Sequence, residues 1–259
     1  MEKVDEAIDA LRKLVSSHVA AVVTHLPDGR KEFRCFATLV ARNVYAMGHG
    51  VFANSNVIYM AYRNLHLHSV GPDGQISNDG VRVSTVYRAP LGEVSLLSPV
   101  SKVAESFDLP HASMTWFASS RNAALSVPFF SSAVERELDS IQFQTVVCGF
   151  VLGDFSEFQV SLPRDASRTT HVREFTLAGF AADCGYLSSQ DVGMPAFTEN
   201  NQVAGVLVGC EVGAEQKIGV FLPMSFLSPL VEYFNSVRLS TRYDQSSPST
   251  RFFAPEYEF

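Results

Sequence analysis

Hydrophobic positions along this chain change their period early. Val4, Ile8, Leu11 and Val15 recur at helical spacing with charges between them, which predicts an amphipathic helix over residues 1–17 with one face laid on a larger body. From Ser17 onward the apolar residues fall into short β-rich runs: "HVAAVVTHL", "EFRCFATLV", "NVYAMGHGVF", "NVIYMAYRNL", "GVRVSTVYR" and "GEVSLLSPV". Turn signals punctuate them at Pro27-Asp28-Gly29, at Gly71-Pro72-Asp73-Gly74 and at Asn78-Asp79-Gly80. About six strands by residue 100 are enough for one small closed barrel, assigned to residues 18–116.

Residues 117–140 break the pattern. "FASSRNAALSVPFFSSAVERELDS" has no sustained two-residue period and ends acidic, so it reads as a connector. Strand patterns return in "IQFQTVVCGFVLG", "EFQVSL", "HVREFTLAGF", "CGYLSS", "QVAGVLVGC" and "KIGVFLP". These assign a second barrel to residues 141–223. "SFLSPLVEYFNSVR" reads as a helix and the Ser/Pro-rich end as irregular, together residues 224–259. The expected fold is all-β: two six-stranded antiparallel barrels with an N-terminal and a C-terminal helix. A cleft between two such barrels is a common place for a ligand site.

Composition narrows the function classes. The chain has 259 residues, 46% hydrophobic and 18% charged, which suits a globular protein with a sizeable core. No apolar run approaches the ~20 residues of a spanning helix, and "MEKVDEAIDALRKLVSS" is too charged for a secretory signal. No membrane partner is expected. A net charge of −7 disfavours strong nucleic-acid binding and leaves RNA a weak candidate. Cys35, Cys148, Cys184 and Cys210 show no zinc spacing, so neither metal nor cofactor is expected, and free thiols in a reducing compartment are the default.

The candidate chemistry starts at His49, in "ATLVARNVYAMGHGVF", just after the third predicted strand. An imidazole there can take a proton near neutral pH. Six other histidines, His18, His25, His66, His68, His111 and His171, lack that context. An acid must orient the ring and select its tautomer. Glu93, opening the alternating run "EVSLLSPV", and Asp108, in "ESFDLPHASM", are the two candidates, with Glu93 favoured. For the nucleophile, Asp183-Cys184-Gly185 offers a thiol followed by glycine, the residue a tight oxyanion-binding turn needs. The backbone N–H groups of Ala182, Asp183 and Cys184 would form that oxyanion hole. Asp191-Val192-Gly193-Met194-Pro195 has the same outline, but valine has no nucleophilic chemistry. Cys148 sits inside a continuous apolar strand and reads as an inert core thiol.

Together the leading helix, the strand–turn–strand before Gly48-His49, Asp183-Cys184-Gly185 and "VAGVLVGC" resemble the chymotrypsin-like cysteine proteases of picorna-like RNA viruses, the picornain type. The resemblance covers residues from about 5 to 236. It implies a His49–Glu93–Cys184 triad in the cleft of two barrels. It also implies a polypeptide substrate, a viral polyprotein, processed in the host cell cytoplasm. In this family a Gly-x-His-x-x-Gly motif lines the S1 pocket, and its histidine reads glutamine. Here Gly205-Val206-Leu207-Val208-Gly209 places Leu207 there. A leucine cannot donate a hydrogen bond to a glutamine carbonyl. The S1 pocket shaped by Gly205 and Leu207 is thus not built for Gln, a feature similar to nepovirus proteases. The chain departs from the pattern at Ala182, where the family has glycine. The spacing to Gly205 also suits Val192 better than Cys184. With Val192 in the nucleophile slot, the chain would be a catalytically inactive protease-like domain that binds peptide or RNA.

Overall fold

Among the described residues, the chain is built of two antiparallel β systems and two helices. The computed structural model describes residues 2–48, 64–72, 74–88, 94–103, 124–132, 141–151, 156–162, 173–183, 191–198, 200–212 and 217–244. Helix α1 (Glu2–His18) leads directly into β1 (Val19–His25), then β2 (Lys31–Ala41), β3 (Val44–Gly48), β4 (Leu65–Val70), β5 (Ile76–Arg88) and β6 (Val94–Pro99). These six strands close into a barrel in the order β1-β2-β3-β6-β5-β4. The Pro27-Asp28-Gly29 turn joins β1 to β2 as its residue types require: Gly29 adopts φ 86°, and Leu26 N–H donates to Arg30 O at 2.8 Å.

The second system contains β7 (Ala124–Ser132), β8 (Ile141–Val151), β9 (Ser156–Leu162), β10 (Arg173–Asp183), β11 (Pro195–Phe197), β12 (Val203–Val212) and β13 (Lys217–Pro223). Its order is β13-β12-β11-β7-β8-β10-β9, and β13 also pairs with β10. Six strands therefore return on themselves as a second barrel, with β9 attached outside along β10. Helix α2 (Met224–Asp244) follows. The architecture is all-β with a helix at each end.

Three sequence expectations change in detail. The fourth strand of the first barrel is "LHLHSV" (Leu65–Val70); most of the run expected there, "NVIYMAYRNL", lies outside the described residues. Asn78-Asp79-Gly80 is not a turn but part of β5. Its glycine provides clearance, because a Cβ on Gly80 would collide with the His68 ring. Within the expected connector, Ala124–Ser132 is β7, paired along its whole length with β8. Pro128 disguises it as a loop. The assigned pairing of β7 with β11 is at Ser126.

Burial explains why several strands read as unbroken apolar runs rather than alternating ones. Ala20, Val22, Cys35, Ala37, Leu39, Met47, Leu65, Leu67 and Leu97 fill the first barrel. Their neighbours Val19, Ala21, Val23, Phe36, Val40, Val44, Ala46 and Leu96 point outward. They join Val206, Val208, Val220 and Leu222 of the second barrel, together with Met224, Leu227, Val231 and Phe234 along one stripe of α2. Both faces of β1, β2 and β3 are thus removed from water, so neither face needs polar residues. Cys35 is a free, fully buried thiol whose pKa burial raises well above the ordinary range; such a thiol is inert.

One edge of the first barrel carries a histidine cluster. His25 and His66 stack with centroids 3.7 Å apart, and His25 Nε2 lies 2.9 Å from His68 Nε2. His68 Nδ1 is 2.7 Å from Ser77 O. With its rings parallel, the His25–His66 pair cannot converge its lone pairs on one ion. Among the described residues no group of three histidine, cysteine or acidic side chains is arranged to hold a metal. The His25 pKa is lowered to about 4, first by burial and then by His66, His68 and Lys31; the His68 pKa is also lowered, chiefly by burial. The unfolded chain takes up protons near the ordinary imidazole value of about 6.5. Between that pH and about 4 the unfolded state therefore binds more protons than the folded one. This contribution to stability is complete above the unfolded value and is lost as pH falls toward 4. The urea midpoint should drop between pH 7 and 4.5, and the drop should be shallower in His25→Gln; equal slopes would exclude the cluster as the cause.

Candidate active site

The site is assembled from the ends of β3 and β6 in the first barrel and a turn of the second. Strand β3 ends at Gly48, which pairs with Val94 at the start of β6. The next residue beyond Gly48 is His49, and the one before Val94 is Glu93. Both lie outside the described residues, as do Asp108 and Cys184. The antiparallel pair Gly48–Val94 nonetheless brings the chain leading into His49 and the chain leaving Glu93 to one point. No described pairing does this for Asp108.

Residues 191–194 form a turn wedged between the barrels. Phe36 N–H donates to Val192 O at 3.0 Å, and Thr38 Oγ1 donates to Gly193 O at 2.6 Å; both come from β2. Gly193 N–H donates to Leu207 O and Leu207 N–H to Met194 O, each at 2.8 Å, on β12. Met194 N–H closes the turn on Asp191 O at 3.0 Å. Asp191, Val192 and Met194 are buried. Gly193 has φ 94°, and a Cβ there would collide with Phe36 O. Only glycine combines that conformation with that approach. Pro195 then enters β11 opposite Val206.

Val192 also contacts the end of β3. A side chain on Gly48 would occupy the space of Val192 Cγ1, so this glycine makes room for residue 192 one position before His49. The backbone N–H of Val192 has no hydrogen-bond acceptor among the described residues, although the residue is fully buried. A buried N–H without a partner is a ready donor for a carbonyl brought into the cleft. Neither Gly193 nor Thr38 stood out in the sequence. The Asp-x-Gly-x-Pro outline carried a signal for the first; Thr38 carried none.

Ala182 and Asp183 lie at a different level of the second barrel from that turn. They are the last residues of β10. They pair on one side with Gly219 and Ile218 of β13 and on the other with Val151 and Phe150 of β8. Leu207 faces Phe221 on β13, three positions from Ile218. At the rise of an antiparallel strand this is roughly 10 Å. The described end of β10, which leads into Cys184, is displaced by that distance along the barrel from the level where the 191–194 turn docks on Leu207. Gly205 lies between Ala196 and Pro223 in β12, and Leu207 is fully buried.

No protein-family model matches the chain, and no curated protein sequence matches it. Solved structures do match in fold. The MamO protease domain from Magnetospirillum magneticum, apo form, superposes with a TM-score of 0.54 at 12% identity, covering 83% of this chain and 96% of that one. The active form of the Rv3671c protease from M. tuberculosis gives 0.53 at 14% identity, covering 84% and 80%. Its inactive form gives 0.51 at 14% identity, covering 84% and 88%. At these identities the likeness establishes the fold: this chain has the chymotrypsin-like protease fold.

Two substitutions probe the turn. Gly193→Ala should destabilise the protein by on the order of 3 kcal/mol or more, since it combines backbone strain with overpacking. Thr38→Val leaves Gly193 O buried without its donor and should cost about 1–3 kcal/mol. Urea denaturation at pH 7 measures both. A loss below about 0.5 kcal/mol for Gly193→Ala would mean that the turn is not clamped as described.

Proposed function

We propose that this chain is a chymotrypsin-fold domain that holds an extended polypeptide in its interbarrel cleft without cutting it. The carrying observation is the packing of Val192 against Gly48, which puts a hydrocarbon side chain beside the position leading into His49. Valine has no proton to give and no lone pair to attack with, so a base at His49 would have nothing to activate at residue 192. Binding does not require that chemistry. The N–H of Val192, without an acceptor among the described residues, can still donate to a peptide carbonyl, and main-chain hydrogen bonds at a strand edge recognise extended peptide. The picornain likeness of the sequence suggests a viral polyprotein in the host cytoplasm as the source of that peptide. Leu207 suits a non-glutamine side chain at the S1 position.

A second reading has its own support in the Gly48–Val94 pair. That pair joins the strand end leading into His49 to the strand start that follows Glu93, and this supports reading those two residues as a base and its orienting acid. Under that reading the protein is a viral cysteine endopeptidase with His49, Glu93 and Cys184 as its triad and the backbone of residues 182–184 binding the oxyanion.

The two readings separate cleanly. The chain is incubated with a denatured polyprotein or a peptide library, and products are read by mass spectrometry in parallel with iodoacetamide labelling. The binding reading expects no cleavage and no His49-dependent labelling of Cys184. Cleavage by the unaltered chain that disappears in Cys184→Ala, together with His49-dependent labelling of Cys184, would establish the peptidase instead.

A further inference from the structure

A cavity of about 260 Å³ opens on the first barrel, lined by the β2–β3 hairpin and the segment after β6. It lies at the start of β3, four residues from Gly48, roughly 13 Å along the strand. It is therefore separate from the candidate active site. Its inner wall is apolar: Leu39 and Tyr45 are buried and Val103 is half-buried against them. Its rim carries two cations, Arg42 and Lys102, and neither has a carboxylate partner among the described residues. The two walls are tied together. Asn43 turns the hairpin at φ 59°, and its Nδ2 donates to Pro99 O at 3.0 Å, which holds the hairpin against the exit of β6. Tyr45 has no hydrogen bond among the described residues. Burial raises its pKa to about 12, so its hydroxyl keeps its proton and remains a donor at neutral pH.

Two cations with no carboxylate partner among the described residues, over an apolar pocket in a chain of net charge −7, are a local reversal of sign. The arrangement is complementary to a ligand with an anionic head and an apolar body. A cavity of about 260 Å³ is just below the usual ligand-pocket range of about 300–1,000 Å³, so it admits one side-chain-sized group. We propose that this cavity binds a carboxylate attached to an apolar body, with Arg42 and Lys102 on the carboxylate and Leu39, Tyr45 and Val103 around the body. Such a group comes from two sources, a free organic acid or the C-terminal residue of a polypeptide. The proposal does not depend on whether the chain cuts peptides.

The test is a titration followed by backbone amide NMR, with N-acetylphenylalanine and N-acetylphenylalanine amide as probes. The acid should give saturable shifts at Leu39, Asn43 and Lys102, and the uncharged amide should bind at least about tenfold more weakly. Arg42→Gln/Lys102→Gln, both on exposed positions, should weaken the acid by about tenfold, the loss of two exposed ion pairs, with an unchanged melting temperature. Raising the salt concentration should weaken the acid but not the amide. Phenylacetate and a hexapeptide ending in phenylalanine with a free carboxylate distinguish the sources. Tighter binding of the hexapeptide assigns the pocket to polypeptide C-termini; tighter binding of phenylacetate assigns it to a free acid. Equal binding of acid and amide, wild-type affinity in the double variant, or no saturable shift would overturn the proposal.

Discussion

The turn from Asp191 to Met194 commits its backbone to both barrels at once. Val192 O and Gly193 O accept from Phe36 and Thr38 of the first barrel, while Gly193 N–H and Met194 O bond Leu207 of the second. These bonds lie in a water-excluded seam, where an unmade hydrogen bond is costly. The relative position of the barrels is therefore tied to the conformation of four residues. That conformation depends in turn on one glycine at φ 94° pressed against Phe36 O. Residue 192 is held by its own carbonyl on Phe36 and by its neighbour Gly193, whatever its side chain.

Around this clamp the apolar seam does the bulk of the stabilisation. The outer wall of β1, β2, β3 and β6 packs on β12, β13 and the Met224–Phe234 stripe of α2. The inner wall packs within the first barrel. A seam of this kind is adhesive but not directional, since dispersion and hydrophobic burial tolerate sliding far better than hydrogen bonds do. The buried hydrogen bonds of the 191–194 turn supply the register that the seam lacks. A chymotrypsin-like cleft can thus be preserved in shape even when the residue at its centre has lost its chemistry. This is the physical basis for reading the chain as a peptide holder.

The same separation of shape from chemistry applies to the first barrel's ends. At one end of β3, Gly48 and Val94 close the ladder beside the candidate site. At the other, the hairpin and the β6 exit leave a cavity with cations at its mouth. The barrel interior between them is filled by side chains, so the two ends are chemically independent.

Much of the architecture was legible in the chain itself. The helix before Val19, the hairpin at Pro27-Asp28-Gly29, five of the six strands of the first barrel (Leu65–Val70 excepted) and the strands from Ile141, Ser156, Arg173, Val203 and Lys217 follow from local period and turn residues. These are set by steric and burial rules acting over a few residues. Ala124–Ser132 and Pro195–Phe197 were not legible as strands. The first contains a proline, which reads as a strand breaker, and the second is too short to show a period. Asn78-Asp79-Gly80 misled in the opposite sense, because its glycine serves a non-local contact with His68. At the site, the sequence determined the inventory: which residues have a proton, a thiol or only a methyl group, and hence that Val192 can attack nothing. The tertiary structure decided the neighbourhood, setting Val192 on Gly48 and the end of β10 roughly 10 Å away along the barrel. Contacts between residues far apart in sequence depend on strand register and on how two barrels dock, and no local pattern encodes either.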